Sequence, residues 1–396
     1  MQVSQSQNAD VTRHVKSPRQ GTIICQVLRQ WLDSLPPQHL AELHITADEL
    51  FITFPRSYTI YPPLLLLPRT TLGSAPWATL YSSLDKQLQE HLWRALAAAF
   101  KHVRIVALHG AVPLLNPDGH SPNVVRSPTQ LQTVYGDLGT LVTGTPTSAD
   151  FAEAVWVSTK QNGIYQTWSP LYTMFSRGNI KEKARLLALP SLSRQALGER
   201  GCTAVDLYAG IGYFTFSYAK AEGVRNVLCW EINPWSVEAL ARGAAENKWT
   251  VEVCRGSVSG ETRDGLLGSS DAKIVVLQED NAHALRRVVP ARRHLPPIRH
   301  VNCGLLPTSE PVWADAVRLL DPLLGGWIHA HENIAGKDET ARVEQVTQMM
   351  QAFAGQDRHV HCEHVERVKS YSPGVMHCVL DFYISGTSSE PSRPDR

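Results

Sequence analysis

Two carboxylates and two glycines set the chemistry open to this chain. Asp206 closes a short apolar run, Ala204-Val205, that resumes at Leu207, and Gly210 and Gly212 follow it. Glu231 closes the next apolar run, Val227 to Trp230. Glycines at such a turn let the backbone take positive φ and let a ligand approach with no Cβ in the way. A strand, a glycine turn, a helix over Thr215 to Ala221 and a second strand ending in an acid form the layout of a nucleoside-cofactor site. In that layout the acid accepts hydrogen bonds from ribose hydroxyls. Glu231 lies about twenty residues beyond the glycines, as the layout expects. A pyrophosphate fits poorly. Thr215 stands where a dinucleotide pattern wants a third glycine or alanine, and Asp206 would repel the anion. A glycine turn in an ordinary α/β domain is the alternative, and the placement of Glu231 tells against it.

Asp280 and Asn281 follow a third apolar run, Ile274 to Leu277. Both residue types cap helices well, and their order after Glu231 also suits contact with a base; the two roles are compatible. Arg286, Arg287, Arg292, Arg293, His294 and Arg299 cluster with no acid among them. They read equally as a phosphate-positioning patch or as a solvated face. His329, His331 and Glu332 have ligand chemistry, but alternating histidines are expected on opposite faces and no third ligand converges. No metal is expected.

The elements that must hold these residues are punctuated by proline and glycine. Ile23 to Leu35 reads as a helix, Leu50 to Phe54 as a strand, and Leu84, Leu88, Leu92 and Leu96 as the buried stripe of a helix. Val103 to Leu108 and Phe151 to Val157 read as strands. Ile180 opens a helix, Pro234 opens another, and Val251 to Asp271 reads as an insertion. His300 to Leu306 and Gly326 to His331 supply further strands, and His361 to Val368 with Met376 to Tyr383 a closing hairpin. The fold class expected is α/β, a Rossmann-type C-terminal domain over residues 164–385 with a smaller α+β domain over 21–163. Polar tails over 1–20 and 386–396 are expected to be disordered.

Net charge is +1 on 396 residues, so any nucleic-acid contact must come from local patches. Seven cysteines without a Cys-x-x-Cys pair disfavour a disulfide framework and a zinc site. The densest apolar run, Leu64 to Leu67, is far too short to span a membrane. No apolar stretch marks a secretory signal in the first twenty residues, which leaves the cytoplasm as the default.

Asp206 and Gly210 resemble the first motif of class I S-adenosylmethionine-dependent transferases. Further motifs narrow this. Met174-Phe-Ser-x-Gly-Asn-x-x-Glu-Lys, Asp206-Leu-Tyr-Ala-Gly-Ile-Gly-Tyr-Phe-Thr, Trp230-Glu-Ile-Asn-Pro, Val301-Asn-x-Gly-Leu-Leu-Pro, His329-x-His-Glu-Asn and Val368-Lys-Ser-Tyr-x-Pro-x-x-x-His377 together resemble the tRNA wybutosine-synthesizing protein 2 family. The resemblance runs from about Thr167 to Phe382, is thinner before that, and has the look of a fungal member. It implies transfer of the 3-amino-3-carboxypropyl group of S-adenosylmethionine to C7 of 4-demethylwyosine at position 37 of tRNA(Phe), with release of 5′-methylthioadenosine. It implies cofactor contacts at Ser176, Lys183, Glu231, Asp280 and Asn281, beside the turn of Asp206, Gly210 and Gly212. Lys183 suits the methionine carboxylate, Ser176 a hydrogen bond beside it, and Glu231 the ribose. Without the resemblance, Ser176 and Lys183 would read as a capped surface helix. The implied partner is the anticodon loop of tRNA(Phe), with association with other pathway enzymes left open and a monomer expected. No general base is evident: His331 and His377 are candidates that also read as core histidines.

Three departures from the family stand out: Glu279 where a glycine is usual, the longer segment 251–271, and Cys303 in place of leucine. The rival reading is a tRNA guanosine-37 N1-methyltransferase. That related family carries an Asn-Pro-Pro-Tyr-type motif where this chain has Asn302-Cys303-Gly304-Leu305-Leu306-Pro307, which favours propyl transfer. A degenerate RNA-binding module is a second rival, and the intact Asp206, Gly210, Gly212 and Glu231 argue against it.

Overall fold

The computed structural model describes residues 22–387, apart from 37, 56, 114, 256–266 and 268–270. The tail expected over 1–20, and residues 388–396 of the tail expected over 386–396, lie outside the described residues. Gly386 and Thr387, expected in the second tail, are placed: the Thr387 amide donates to the Pro322 carbonyl at 2.8 Å.

The described residues fall into two units. One comprises the residues up to Lys160 with Thr167–Met174; the other comprises Gln161–Gln166 and the residues from Phe175 onward. The hairpin of Val157–Gln161 and Ile164–Trp168 carries the chain from one to the other.

The second unit is built on eight strands: β1 Cys202–Asp206, β2 Val224–Trp230, β3 Val251–Arg255, β4 Ile274–Gln278, β5 Ile298–Cys303, β6 Gly326–Ala335, β7 Val360–Ser372 and β8 Val375–Ile384. They lie in the order β7-β8-β6-β5-β1-β2-β4-β3. The first six run parallel, and the β7–β8 hairpin joins β6 antiparallel. Strands covered on both faces read as unbroken apolar runs, and every residue of β1 is buried. Successive residues face opposite ways. Val205 and Leu228 therefore join one core with Val275, Ile328 and Trp313, whereas Ala204 and Val227 join another with Phe216, Leu240 and Ile274. The α/β class expected from the sequence is the class observed. Register sets Asp206 beside Cys229 on one side and Asn302 on the other, so the functional residues gather at the C-terminal ends of the central strands, where open α/β sheets bind ligands.

Val251–Arg255, expected to begin an insertion, is the edge strand β3. Its residues are half-buried or exposed, which hides the apolar pattern. Most of the remaining insertion lies outside the described residues.

The first unit packs helices on a four-stranded sheet of Thr59–Tyr61, Leu64–Pro68, Ile105–His109 and Gln132–Tyr135. Leu65, Leu67, Trp31, Trp77 and Trp93 share its core. The Trp77 indole donates to the Leu50 carbonyl at 2.8 Å. Two expectations fail here. Leu50 lies in the helix Ala47–Thr53, and Phe151 in the helix Ser148–Glu153. No helix among the described residues is long and apolar enough to cross a membrane.

Candidate functional site

The turn after β1 depends on its glycines. Gly210 and Gly212 have φ of 53° and 87°. A Cβ on Gly212 would stand 2.6 Å from the Phe216 ring. Asp206, expected to touch the cofactor, is fully buried beneath this turn. It accepts hydrogen bonds from the Thr215 hydroxyl at 2.8 Å and the Asn302 amide at 2.9 Å. Burial pushes its carboxyl up, against the pull of Asn302 and Thr215. Asp206 therefore shapes the site from below and offers no free face to a ligand. Thr215, the residue that argued against a dinucleotide, supplies the second brace.

Glu231 stands at the tip of β2. Its carboxylate accepts from the amides of Gly210 at 2.8 Å and Asn233 at 2.7 Å. Burial pushes the carboxyl up to about 7, against the pull of the Asn233, Gly210 and Ile232 amides. Three amides take up part of the carboxylate, which has about four acceptor sites, so it can still accept from a hydroxyl. The residues fit a ribose.

Asp280 and Asn281 lie just past β4. Asp280 is exposed, and its Oδ1 accepts from the Ala282 amide at 2.8 Å, capping a short 3-10 turn. The Asn281 amide donates to the Leu207 carbonyl at 2.7 Å, which ties this segment to the turn after β1. Glu279 neither crowds the cofactor space as a lone charge nor points to solvent. Arg287 grips it with two hydrogen bonds, at 2.9 and 2.5 Å, and the Trp230 indole adds a third at 3.3 Å. Burial raises the Glu279 carboxyl, but Arg287 and Trp230 outweigh it and hold it below its ordinary value.

That pair also divides the basic cluster. Arg287 is buried and bound to Glu279. Arg292 donates to the Arg318 and Leu319 carbonyls, and Arg299 lies over the Trp327 ring. Arg286, Arg293 and His294 are the exposed members.

Lys183 was expected to face the methionine carboxylate. It is 3% exposed, and its ammonium donates to the side-chain oxygens of Gln161 at 2.6 Å and Gln166 at 2.7 Å, with the Phe175 ring centroid 4.7 Å away. Gln166 in turn donates to the Gly212 carbonyl at 3.2 Å. The lysine thus braces the glycine turn through Gln166. Burial, and then the charge of Lys369, lower it to about 7. Ser176 lies half-buried nearby. Its amide donates to the Tyr213 hydroxyl at 3.3 Å, and its own hydroxyl accepts from the Lys369 ammonium at 3.0 Å. Lys369 sits in the Val368-Lys-Ser-Tyr motif, but nothing in the sequence joins it to a residue 193 positions away.

His329 and His331, expected on opposite faces, share one, as residues two apart on a strand must. His329 Nδ1 lies 2.6 Å from Asp381 and its Nε2 3.1 Å from His300. His331 Nδ1 lies 3.0 Å from His377 Nε2. Burial and then neighbouring charge lower His331 and take His377 down to about 4, so this buried pair is neutral near pH 7. No group of three His, Cys, Asp or Glu among the described residues is placed to hold a metal ion. Cys303 is buried in the core as a small apolar residue.

Residues 158–284 match the TRM5/TYW2 methyltransferase domain family. The chain is 39% identical over 340 residues to tRNA wybutosine-synthesizing protein 2 of Schizosaccharomyces pombe, a match covering 86% of this chain and 75% of that protein. It is 31% identical over 382 residues to the Saccharomyces cerevisiae protein of the same name, covering 86% and 77%. Among solved structures, P. horikoshii TYW2 in complex with MeSAdo aligns with a TM-score of 0.56 at 16% identity, over 91% of this chain and 99% of that one. Trm5b from Pyrococcus abyssi aligns at 0.53 and 16%, over 86% and 78%. The fold is thus common to both enzyme types, and the sequence relatives separate them.

Proposed function

The chain belongs to the tRNA wybutosine-synthesizing protein 2 family, and from that premise we propose that it transfers the 3-amino-3-carboxypropyl group of S-adenosylmethionine to C7 of 4-demethylwyosine at position 37 of tRNA(Phe), releasing 5′-methylthioadenosine. The observation that supports this reading is that Gly210, Gly212, Glu231 and Asn281 follow the C-terminal ends of β1, β2 and β4, with the Ser176 amide joined to Tyr213 of the same glycine turn.

The sulfonium of S-adenosylmethionine activates all three attached carbons, so presentation decides which one is attacked. The chain's part is presentation. Glu231 takes the ribose hydroxyls and Asp280 and Asn281 the adenine, while Ser176 meets the amino-acid end. Asp206 and Lys183 hold the turn from behind. Asn302, which leads the Asn-Pro-Pro-Tyr-type motif of the methyltransferases, here spends its amide on Asp206. Gly304 brings no side chain against that amide; a Cβ there would stand 3.0 Å from the Asn302 nitrogen. No side chain of this chain is assigned as general base. Water takes the C7 proton once the new bond has formed, and the rate gain comes from positioning and from the leaving group.

The reading also takes residues 21–163 as the tRNA-facing domain, the anticodon loop of tRNA(Phe) as the partner, the monomer as the working form and the cytoplasm as its place. The test is incubation of the protein with tRNA(Phe) bearing 4-demethylwyosine and S-adenosylmethionine, followed by mass spectrometry of nucleosides and spent cofactor. A gain of the aminocarboxypropyl group with 5′-methylthioadenosine is the expected result. A methylated guanosine with S-adenosylhomocysteine would transfer the chain to the methyltransferase reading.

A further inference from the structure

The Lys369 ammonium stands beside Ser176, and its charge bears on the ammonium of Lys183. Lys183 and Lys369 make no ion pair among the described residues, and the charge of Lys369 is among the causes that lower Lys183. Bringing like charges together in a partly dry place is unfavourable unless an anion joins them. The two differ in what they have left to give. Gln161, Gln166 and the Phe175 ring take up the Lys183 ammonium. Lys369 is half-buried, and among the described residues its ammonium makes one hydrogen bond, to the Ser176 hydroxyl at 3.0 Å. An ammonium has three donors, so two remain.

The path of Lys369 is built into the chain. Its side chain crosses directly over Gly178, where a Cβ would stand 2.5 Å from Lys369 Cδ and 3.1 Å from its Nζ. Gly178 is not needed here for positive φ. What it supplies is room for the lysine.

We propose that Lys369, with Ser176, binds the carboxylate at the amino-acid end of S-adenosylmethionine, and that Lys183 stands behind it as a brace of the glycine turn. The proposal rests on the reading that this pocket holds that cofactor. Fixing the carboxylate fixes the chain that ends in Cγ, the carbon to be presented for attack, so Lys369 is a specificity-determining contact for propyl transfer.

The probe that isolates the carboxylate is decarboxylated S-adenosylmethionine, which keeps the adenosine, the sulfonium and the aminopropyl chain. Affinities of the full-length protein for S-adenosylmethionine and for this analogue are measured by calorimetry. Lys369→Gln can keep a hydrogen bond to Ser176 and removes the charge. It should weaken S-adenosylmethionine by at least about tenfold, the scale of a charge-assisted hydrogen bond, and change the analogue by less than about twofold. Gly178→Ala displaces the lysine without removing it and should give the same selective loss. Equal weakening of both ligands by Lys369→Gln, or no change in either, overturns the proposal. Glu231→Gln, measured in parallel, should weaken both ligands. If it weakens neither, the failure lies in the reading of the pocket as a nucleoside site, and the role of Lys369 falls with it.

Discussion

Asn302 at the end of β5 donates through its amide to Asp206 at the end of β1, at 2.9 Å, and both side chains are fully buried. The contact ties neighbouring parallel strands together directly under the glycine turn. Asn302→Leu leaves the Asp206 carboxylate short of one donor and should cost about 1–3 kcal/mol of unfolding free energy, the price of an unsatisfied buried polar group. Urea denaturation measures it. Cofactor affinity should fall as well, because the turn loses its support. Unchanged stability would mean that Thr215 and the Tyr208 amide suffice to hold Asp206.

What the sequence made legible follows from how local each signal is. The strands β1, β2 and β4 read directly because residues buried on both faces make continuous apolar runs. Leu50 and Phe151 depart from the strand pattern for one shared reason. Each lies in a short helix opened by a capping box, Thr46 with Glu49 and Thr147 with Asp150, and this Thr-x-x-acid spacing is a better guide than an isolated apolar pair. Glu231, Asp280 and Asn281 were readable because strand ends place them. The employment of Asp206, Lys183 and Glu279 was not, since it depends on Asn302, Gln161 and Arg287, whose side chains arrive from other elements.

Glu231 should make cofactor binding depend on pH near neutrality. Its carboxyl is raised from the ordinary 4.5 to about 7, and the ionised form accepts ribose hydroxyl donors better. Affinity for 5′-methylthioadenosine should rise by up to about tenfold between pH 6 and 8. Glu231→Gln should flatten the profile. The stability contribution has the opposite sign. A raised folded value means stability fully present below the unfolded value and lost as pH rises through about 7. Calorimetric titration at several pH values checks the first statement and thermal melts the second.

Asp381 on β8 joins His329 at 2.6 Å and Arg185, and Arg185 also pairs with fully buried Glu182 at 2.7 Å. Burial acts to raise the Asp381 carboxyl, yet His329 and Arg185 hold it well below the usual range. Asp381→Asn should destabilise the protein by about 3–5 kcal/mol, as expected when one partner of a buried charge network is removed. In the unmutated protein this contribution is present above the ordinary carboxylate range and is lost as pH falls through the depressed value. Urea midpoints at neutral and acid pH, for both proteins, test the two halves together.

Glu279→Gly would restore the residue the family resemblance leads one to expect, and it should nevertheless harm this chain. Arg287 is 7% exposed and grips Glu279 with two hydrogen bonds. Its guanidinium would lose both of those hydrogen bonds and the carboxylate that makes them, at a cost of about 3 kcal/mol or more. Arg287→Leu in the same background should recover most of the loss. Equal stability of Glu279→Gly and the starting protein would show that the pair contributes nothing.

Arg185 and Asp381 are 196 residues apart, which gives the protein a history as it leaves the ribosome. At about 5–20 residues per second, roughly ten to forty seconds separate the synthesis of the arginine from that of its acid. Until then the central strands can pair and bury apolar surface, but the Arg185 and Glu182 pair lacks its third member. The last strand among the described residues is therefore the one that locks an early helix in place. A chain stopped short of β8 would carry most of the sheet and still lack its electrostatic closure.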